Sequence, residues 1–161
     1  MNPLLLFTDG SVHPASRIGY GAYLLATDPT AAPETLKSDV RLRRFEQTSS
    51  TQLELQTLIW ALREIQPRPH ALTVYTDSQN IIGLPGRRER LERQDYGSKQ
   101  KVRHQHAELY QTFYSLTDQL DCTFIQVKGH RVSCQKSPAD RLFTLVDRAS
   151  RQALRNDTHG G

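Results

Sequence analysis

The sequence has little of what would support a disulfide scaffold, a membrane span or an exported protein. It contains two cysteines, Cys122 and Cys134, and neither has metal-ligand spacing with the other or with a nearby histidine. No apolar run approaches the roughly 20 residues that cross a bilayer. The start of the chain, Met1-Asn2-Pro3, lacks the basic region of a secretory signal. We therefore expect a monomer without membrane association, with free thiols, in the reducing cytoplasm.

The basic residues are concentrated in one segment. Residues 87–106 contain seven lysines and arginines against three acids, an excess that equals the net charge of +4 for the whole chain. Such a local patch on a nearly neutral body indicates a polyanion partner. The alternative is a solvated helix whose charges pair with one another.

Hydrophobic patterning predicts an α/β domain over residues 1–155 and a disordered tail over 156–161. The expected strands cover residues 4–9, 18–26, 36–45, 72–76 and 122–128; the first ends in a turn at Gly10-Ser11, and the first three form an antiparallel meander. Helices are expected over 51–65, 107–120 and 138–155, with only a short helical turn before Pro85. The prediction is a central mixed five-stranded sheet with helices on both faces.

Two strands end in the same way. Thr8-Asp9 and Thr76-Asp77 each follow an apolar run. If the strands are neighbours, the two carboxylates lie side by side at one edge, where a cation would relieve their repulsion. Oxygen ligands without thiolate or clustered imidazole suit Mg²⁺ or Mn²⁺ better than Zn²⁺.

Two further acids lie on predicted helices. Glu54 lies in the first turn of its helix, on the face that carries an apolar stripe. On the last helix, Asp140 is explained as part of a capping box with Ser137. Asp147 lies in the middle of that helix beside apolar residues, so it should have a cationic partner. We therefore select Asp147 as the fourth acid of a candidate cation site with Asp9, Glu54 and Asp77, and keep Asp140 as the alternative.

Six short motifs, in this order along nearly the whole chain, resemble those of the type 1 ribonuclease H family. They are Phe7-Thr8-Asp9-Gly10-Ser11, Gly19-Tyr20-Gly21-Ala22, the segment 53–62, Tyr75-Thr76-Asp77-Ser78-Gln79, Val127-Lys128-Gly129-His130 and Val146-Asp147-Arg148-Ala149-Ser150. The resemblance implies a ribonuclease H-like fold. It also implies an endonuclease that cuts the RNA strand of an RNA/DNA hybrid and leaves 5′-phosphate and 3′-hydroxyl ends.

The resemblance also implies residue roles. Asp9, Glu54, Asp77 and Asp147 would bind two Mg²⁺ ions, for which Mn²⁺ could substitute. His130 would assist proton transfer or product release. The segment 87–106 would be the basic handle that grips the hybrid. The implied nucleic-acid contacts are Ser11, Ser50, Thr51, Gln79, Arg87, Arg88, Arg90, Lys99 and Lys101.

Two other functions use the same fold. The first is a catalytically inactive nucleic-acid-binding domain, which would have no need of four converging carboxylates. The second is another nuclease of the superfamily, an exonuclease or a Holliday-junction resolvase. The opening meander and the Lys128-Gly129-His130 segment favour the hybrid ribonuclease.

Overall fold

A computed structural model describes residues 4–65, 69–96, 106–128 and 136–159. Five strands form one mixed sheet in the order β3-β2-β1-β4-β5. The strands are β1 (Leu4–His13), β2 (Ile18–Ala26), β3 (Arg41–Phe45), β4 (Ala71–Thr76) and β5 (Asp121–Gln126). β1 to β3 form the antiparallel meander, and β4 and β5 continue the sheet in parallel from β1. The predicted architecture is confirmed.

Helices cover both faces of the sheet. They are α1 (Pro33–Leu36), α2 (Ser50–Glu64), α3 (Gln79–Arg93), α4 (Ala107–Thr117) and α5 (Pro138–His159). Alternate residues of β1 face opposite sides: Leu6 belongs to the core formed with α2, α3 and α4, whereas Phe7 belongs to the core formed with α5. β1 is therefore buried on both faces, as its four consecutive apolar residues predict.

The turn predicted at Gly10-Ser11 is wrong. β1 continues to His13, and Gly10 pairs with Gly21 of β2. The reason for a glycine here is close packing rather than a turn, because a Cβ at Gly10 would lie 2.8 Å from Leu53 Cδ2. The missing side chain lets the start of α2, including Glu54, approach β1.

The predicted third strand, residues 36–45, is too long. α1 and a 3₁₀ turn over Lys37–Asp39 precede β3. Pro33 lies at the start of α1, where its fixed φ favours a helix. Leu36 and Val40, two apolar residues of the apparent alternation, instead pack against the core beneath α5.

Two helices are longer than predicted. α3 runs through Pro85, because its buried residues Ile81, Leu84 and Leu91 hold it on the core on both sides of the proline. α5 reaches His159, so a disordered tail from residue 156 is wrong for residues 156–159. Asp157 anchors this last turn by accepting hydrogen bonds from Tyr20 Oη at 2.6 Å and Arg44 Nε at 2.7 Å.

Candidate active site

The parallel pairing of β1 with β4 brings Asp9 close to Asp77. Phe7 is paired with Tyr75, and each aspartate follows two residues later. Asp9 is only 9% exposed, whereas Asp77 is exposed to solvent. Burial, the negative charge of Asp77 and a hydrogen bond with Asp147 raise the pKa of Asp9 to about 8. Three acids from three elements therefore interact at this edge of the sheet.

Glu54 joins this edge from near the N-terminus of α2. Ser49 caps the helix by accepting a hydrogen bond from the Gln52 backbone N–H. The Ser78 hydroxyl donates a 2.7 Å hydrogen bond to Glu54 Oε2. Burial raises the pKa of Glu54, the bond from Ser78 lowers it, and the charge of Asp77 raises it.

Asp147 reaches the cluster from the middle of α5. Its side chain is 29% exposed, and Asp147 Oδ1 lies 3.0 Å from Arg151 Nε one helical turn later. The predicted cationic partner is therefore Arg151. Ser150 Oγ lies 3.4 Å from Ser11 Oγ and links α5 to β1 beside the acids.

Asp140 has the structural role that the sequence predicts. Its carboxylate accepts a 3.0 Å hydrogen bond from the Ser137 backbone N–H, and Ser137 Oγ accepts a 3.2 Å bond from the Asp140 N–H. This reciprocal capping box occupies the side chain of Asp140. The contact with Asp9 is made by Asp147 instead.

The donor set fits a hard divalent cation. The carboxylates of Asp9, Glu54, Asp77 and Asp147 supply only oxygen ligands, as Mg²⁺ prefers. Within the described ranges, no three acidic, histidine or cysteine side chains already form a metal cage. The acids approach one another pairwise, and the hydrogen bond with Asp147 is one cause of the raised pKa of Asp9.

The predicted nucleic-acid contacts lie in two places. Ser50 and Thr51 begin α2 and Gln79 begins α3; all three are exposed near the acids, and Ser11 lies on β1. Of the three arginines predicted as contacts on α3, two have intramolecular partners: Arg87 donates to Asn80, and Arg88 pairs with Glu92 and Asp118. Arg90 is exposed on the same helix. His130, Lys99 and Lys101 lie outside the described residues.

A sequence model of the family described as RNase H matches residues 1–148. The chain belongs to the RNase H family. It is 28% identical over 149 residues to a Ribonuclease H of Ruthia magnifica subsp. Calyptogena magnifica, covering 91% of this chain and 96% of that protein. It is 27% identical over 145 residues to a Ribonuclease HI of Synechocystis sp., covering 88% and 85%. These matches identify the chain as a hydrolytic ribonuclease.

Solved structures agree on the fold. LC9-RNase H1, a type 1 RNase H with the type 2 active-site motif, has a TM-score of 0.69 at 16% identity, over 95% of this chain and 72% of that one. A foamy viral protease-reverse transcriptase in complex with dsDNA has a TM-score of 0.68 at 11% identity, over 94% and 96%. Both likenesses concern the fold alone.

Sequence reasoning did not identify Ser78, which holds Glu54, as part of this site. Ser78 is also the N-cap of α3, where it accepts a hydrogen bond from the Ile81 N–H. Its position directly after Asp77 indicates a cap, but only the packing of α2 against α3 brings its hydroxyl to Glu54. The ion pair of Asp147 with Arg151 could have been predicted from the sequence, because residues four apart on a helix are neighbours.

Proposed function

We propose that this chain is an endoribonuclease that hydrolyses the RNA strand of RNA/DNA hybrids and leaves 5′-phosphate and 3′-hydroxyl ends. The observation that carries the proposal is the convergence of acids around Asp9. An aspartate whose pKa is raised by burial and by two neighbouring carboxylates is unfavourable for folding alone, so it indicates a functional site.

Asp9, Glu54, Asp77 and Asp147 would hold two divalent cations, Mg²⁺ or, as a substitute, Mn²⁺. When bound, such cations activate a water molecule and stabilise the leaving oxygen of a phosphodiester. Asp9 must then lose the proton that its raised pKa retains near neutral pH in their absence. Cation binding should consequently release a proton and be stronger at higher pH.

The surrounding residues hold these acids in position. Ser78 orients Glu54 through its 2.7 Å hydrogen bond, and Arg151 orients Asp147 through their ion pair. His130 would move a proton to or from the reacting oxygens, as its position in Lys128-Gly129-His130 implies. Ser11, Ser50, Thr51 and Gln79 would contact the hybrid backbone near the cleaved bond. The segment 87–106, including Lys99 and Lys101, would contribute the handle.

The decisive test is cleavage of an end-labelled RNA/DNA hybrid in Mg²⁺, compared with single-stranded RNA, double-stranded RNA and a reaction in EDTA. We expect internal cuts in the RNA strand of the hybrid only, and none in EDTA. Asp9→Asn should be inactive, whereas the matched variant Asp140→Asn should retain activity. Binding of the hybrid without cleavage in either Mg²⁺ or Mn²⁺ would favour an inactive binding domain, and cuts from one end only would favour an exonuclease.

A further inference from the structure

A groove of about 900 Å³ runs along α5, between this helix and the α1–β3 side of the sheet. Its floor is apolar and includes Val40, Leu42 and Leu145. Leu42 is 46% exposed on edge strand β3. The groove therefore presents an apolar surface that a ligand could cover.

The rim of this groove is cationic. Arg148, Arg151 and Arg155 line it with exposed side chains, and their spacing of three and four residues puts them on one side of α5. Lys37 lines it as well. Glu34 and Asp147 are the two acids in the lining, and Asp147 pairs with Arg151. The groove thus has four basic and two acidic side chains.

Two of these arginines are available to a ligand. Among the described residues, the side chains of Arg148 and Arg155 have no ion-pair or hydrogen-bond partner. Along α5 they are separated by roughly 10 Å, at about 1.5 Å per residue. That length is comparable to about three base-pair steps along a nucleic-acid strand.

The groove is continuous with the acid cluster. Asp147, Arg148 and Arg151 also line a smaller pocket of about 220 Å³, which contains Asp77 together with Lys128 and Lys136. A chain of phosphates leaving the acids toward α5 would therefore meet Arg148 first and Arg155 last. Arg151 and Arg155 lie beyond residue 148, where the family match ends.

From this geometry we infer that the α5 groove, defined by Lys37, Leu42, Arg148, Arg151 and Arg155, binds the sugar-phosphate backbone of the nucleic acid next to the cleaved bond. Arginines contact phosphates, and the apolar floor accommodates sugar rings. The contacts carry no sequence information and set the affinity and its salt dependence. This inference rests on the proposed function for the identity of the ligand.

Binding without cleavage tests the groove directly. The anisotropy of a fluorescent RNA/DNA hybrid is measured in EDTA between about 50 and 200 mM KCl for wild type, Arg155→Gln and Arg148→Gln/Arg155→Gln. The slope of log K against log salt should shrink by about 1 for the single variant and about 2 for the double variant. Arg63→Gln, which removes an exposed charge at the end of α2, is the matched control and should retain the wild-type slope.

A double variant with the wild-type slope would overturn the inference, leaving an acidic protein segment as the alternative occupant of the groove. An equal loss in Arg63→Gln would also overturn it, because net charge alone would then explain the effect. Thermal unfolding should show that all variants are folded. Cleavage of the hybrid by the wild type in Mg²⁺ tests the proposed function separately. If the wild type is active but the double variant retains the wild-type slope, only the inference about the groove is overturned.

Discussion

Helices α3 and α5 each carry four arginines, but the two helices use them differently. In α3, Arg88 pairs with Glu92 and Asp118, and Arg93 pairs with Glu89. In α5, neither Arg148 nor Arg155 has an acid three or four residues away, and both are exposed. Arg87 also donates to Asn80, so three of the four arginines of α3 have partners, and among the described residues only the exposed Arg90 has no ion-pair or hydrogen-bond partner for its side chain there. On α5 both Arg148 and Arg155 remain available, so pairing rather than the number of charges distinguishes the two helices.

The two helices also hold different acids of the cluster. α3 supplies Ser78, a neutral donor to Glu54, whereas α5 supplies Asp147 itself and the cation Arg151 that pairs with it. Removing the Asp147 carboxylate from α5 should remove a proposed cation ligand. Removing the Ser78 hydroxyl at the start of α3 should only loosen another proposed ligand, Glu54. The following predictions test this contrast.

The largest effect is expected on α5. Asp147→Asn should reduce the rate of hybrid cleavage by about 1,000-fold or more, equivalent to ~4 kcal/mol, because it removes a carboxylate that we propose as a cation ligand. Asp140→Asn, on the same helix, should retain most of the activity, since its carboxylate only caps α5. Cleavage rates under identical Mg²⁺ concentrations provide the comparison. If Asp140→Asn were the inactive variant, the assignment of the fourth acid would be wrong.

The second largest effect concerns how the free energy of unfolding depends on pH in the absence of divalent cations. The pKa of Asp9 is about 8 in the folded protein and 3.8 as its ordinary value. Between these values the folded state holds a proton that the unfolded state has released, so the free energy of unfolding falls as pH rises. We expect a fall on the order of a few kcal/mol between about pH 5 and pH 8 in EDTA, measured by urea denaturation.

Variants should separate the causes of this pH dependence. Asp9→Asn should remove it, and Asp147→Asn should weaken it, because Asp147 is one cause of the raised pKa of Asp9. Ser78→Ala should not weaken it, since Ser78 contacts Glu54 instead and its hydrogen bond lowers the pKa of that residue. A wild-type stability that does not depend on pH in this range would refute the burial and repulsion argued for Asp9.

A smaller effect is expected on α3. Ser78→Ala should destabilise the protein by about 1–2 kcal/mol through loss of the helix cap, and should reduce cleavage about 10-fold by releasing Glu54. Ser49→Ala is the matched control, because Ser49 caps α2 in the same way without contacting Glu54. Chemical denaturation and cleavage rates should show similar stability losses but different activity losses. Equal activity losses would assign the effect to stability alone.

The smallest effect concerns the paired arginines. Arg88→Gln should lower the melting temperature by about 2–4 °C, because Arg88 joins α3 to Asp118 and lies over the Tyr114 ring. Because Glu92 and Asp118 already pair with Arg88, this change should reduce the salt dependence of hybrid binding less than Arg155→Gln does. A larger reduction of the salt slope for Arg88→Gln than for Arg155→Gln would favour phosphate contacts on α3 over contacts in the α5 groove.

Most of the sheet and the acids could be predicted from the sequence because the signals are local. Apolar runs ending in Thr-Asp indicate β1 and β4, and a helical stripe indicates the face of α2. The choice of Asp147 over Asp140 followed from a capping box that the structure contains. The prediction failed where packing overrides a local preference, as at Pro85, where buried neighbours keep α3 intact.

The sequence alone determined which residue types are present, the order of the elements and the acids that end them. Only the tertiary structure decided which of those groups meet. The parallel register of β1 and β4 brings Asp77 toward Asp9, and the packing of α3 brings Ser78 to Glu54. It also decided which arginines are neutralised, because Arg88 finds Asp118 thirty residues away. Such contacts depend on three-dimensional distance, which separation along the chain does not encode.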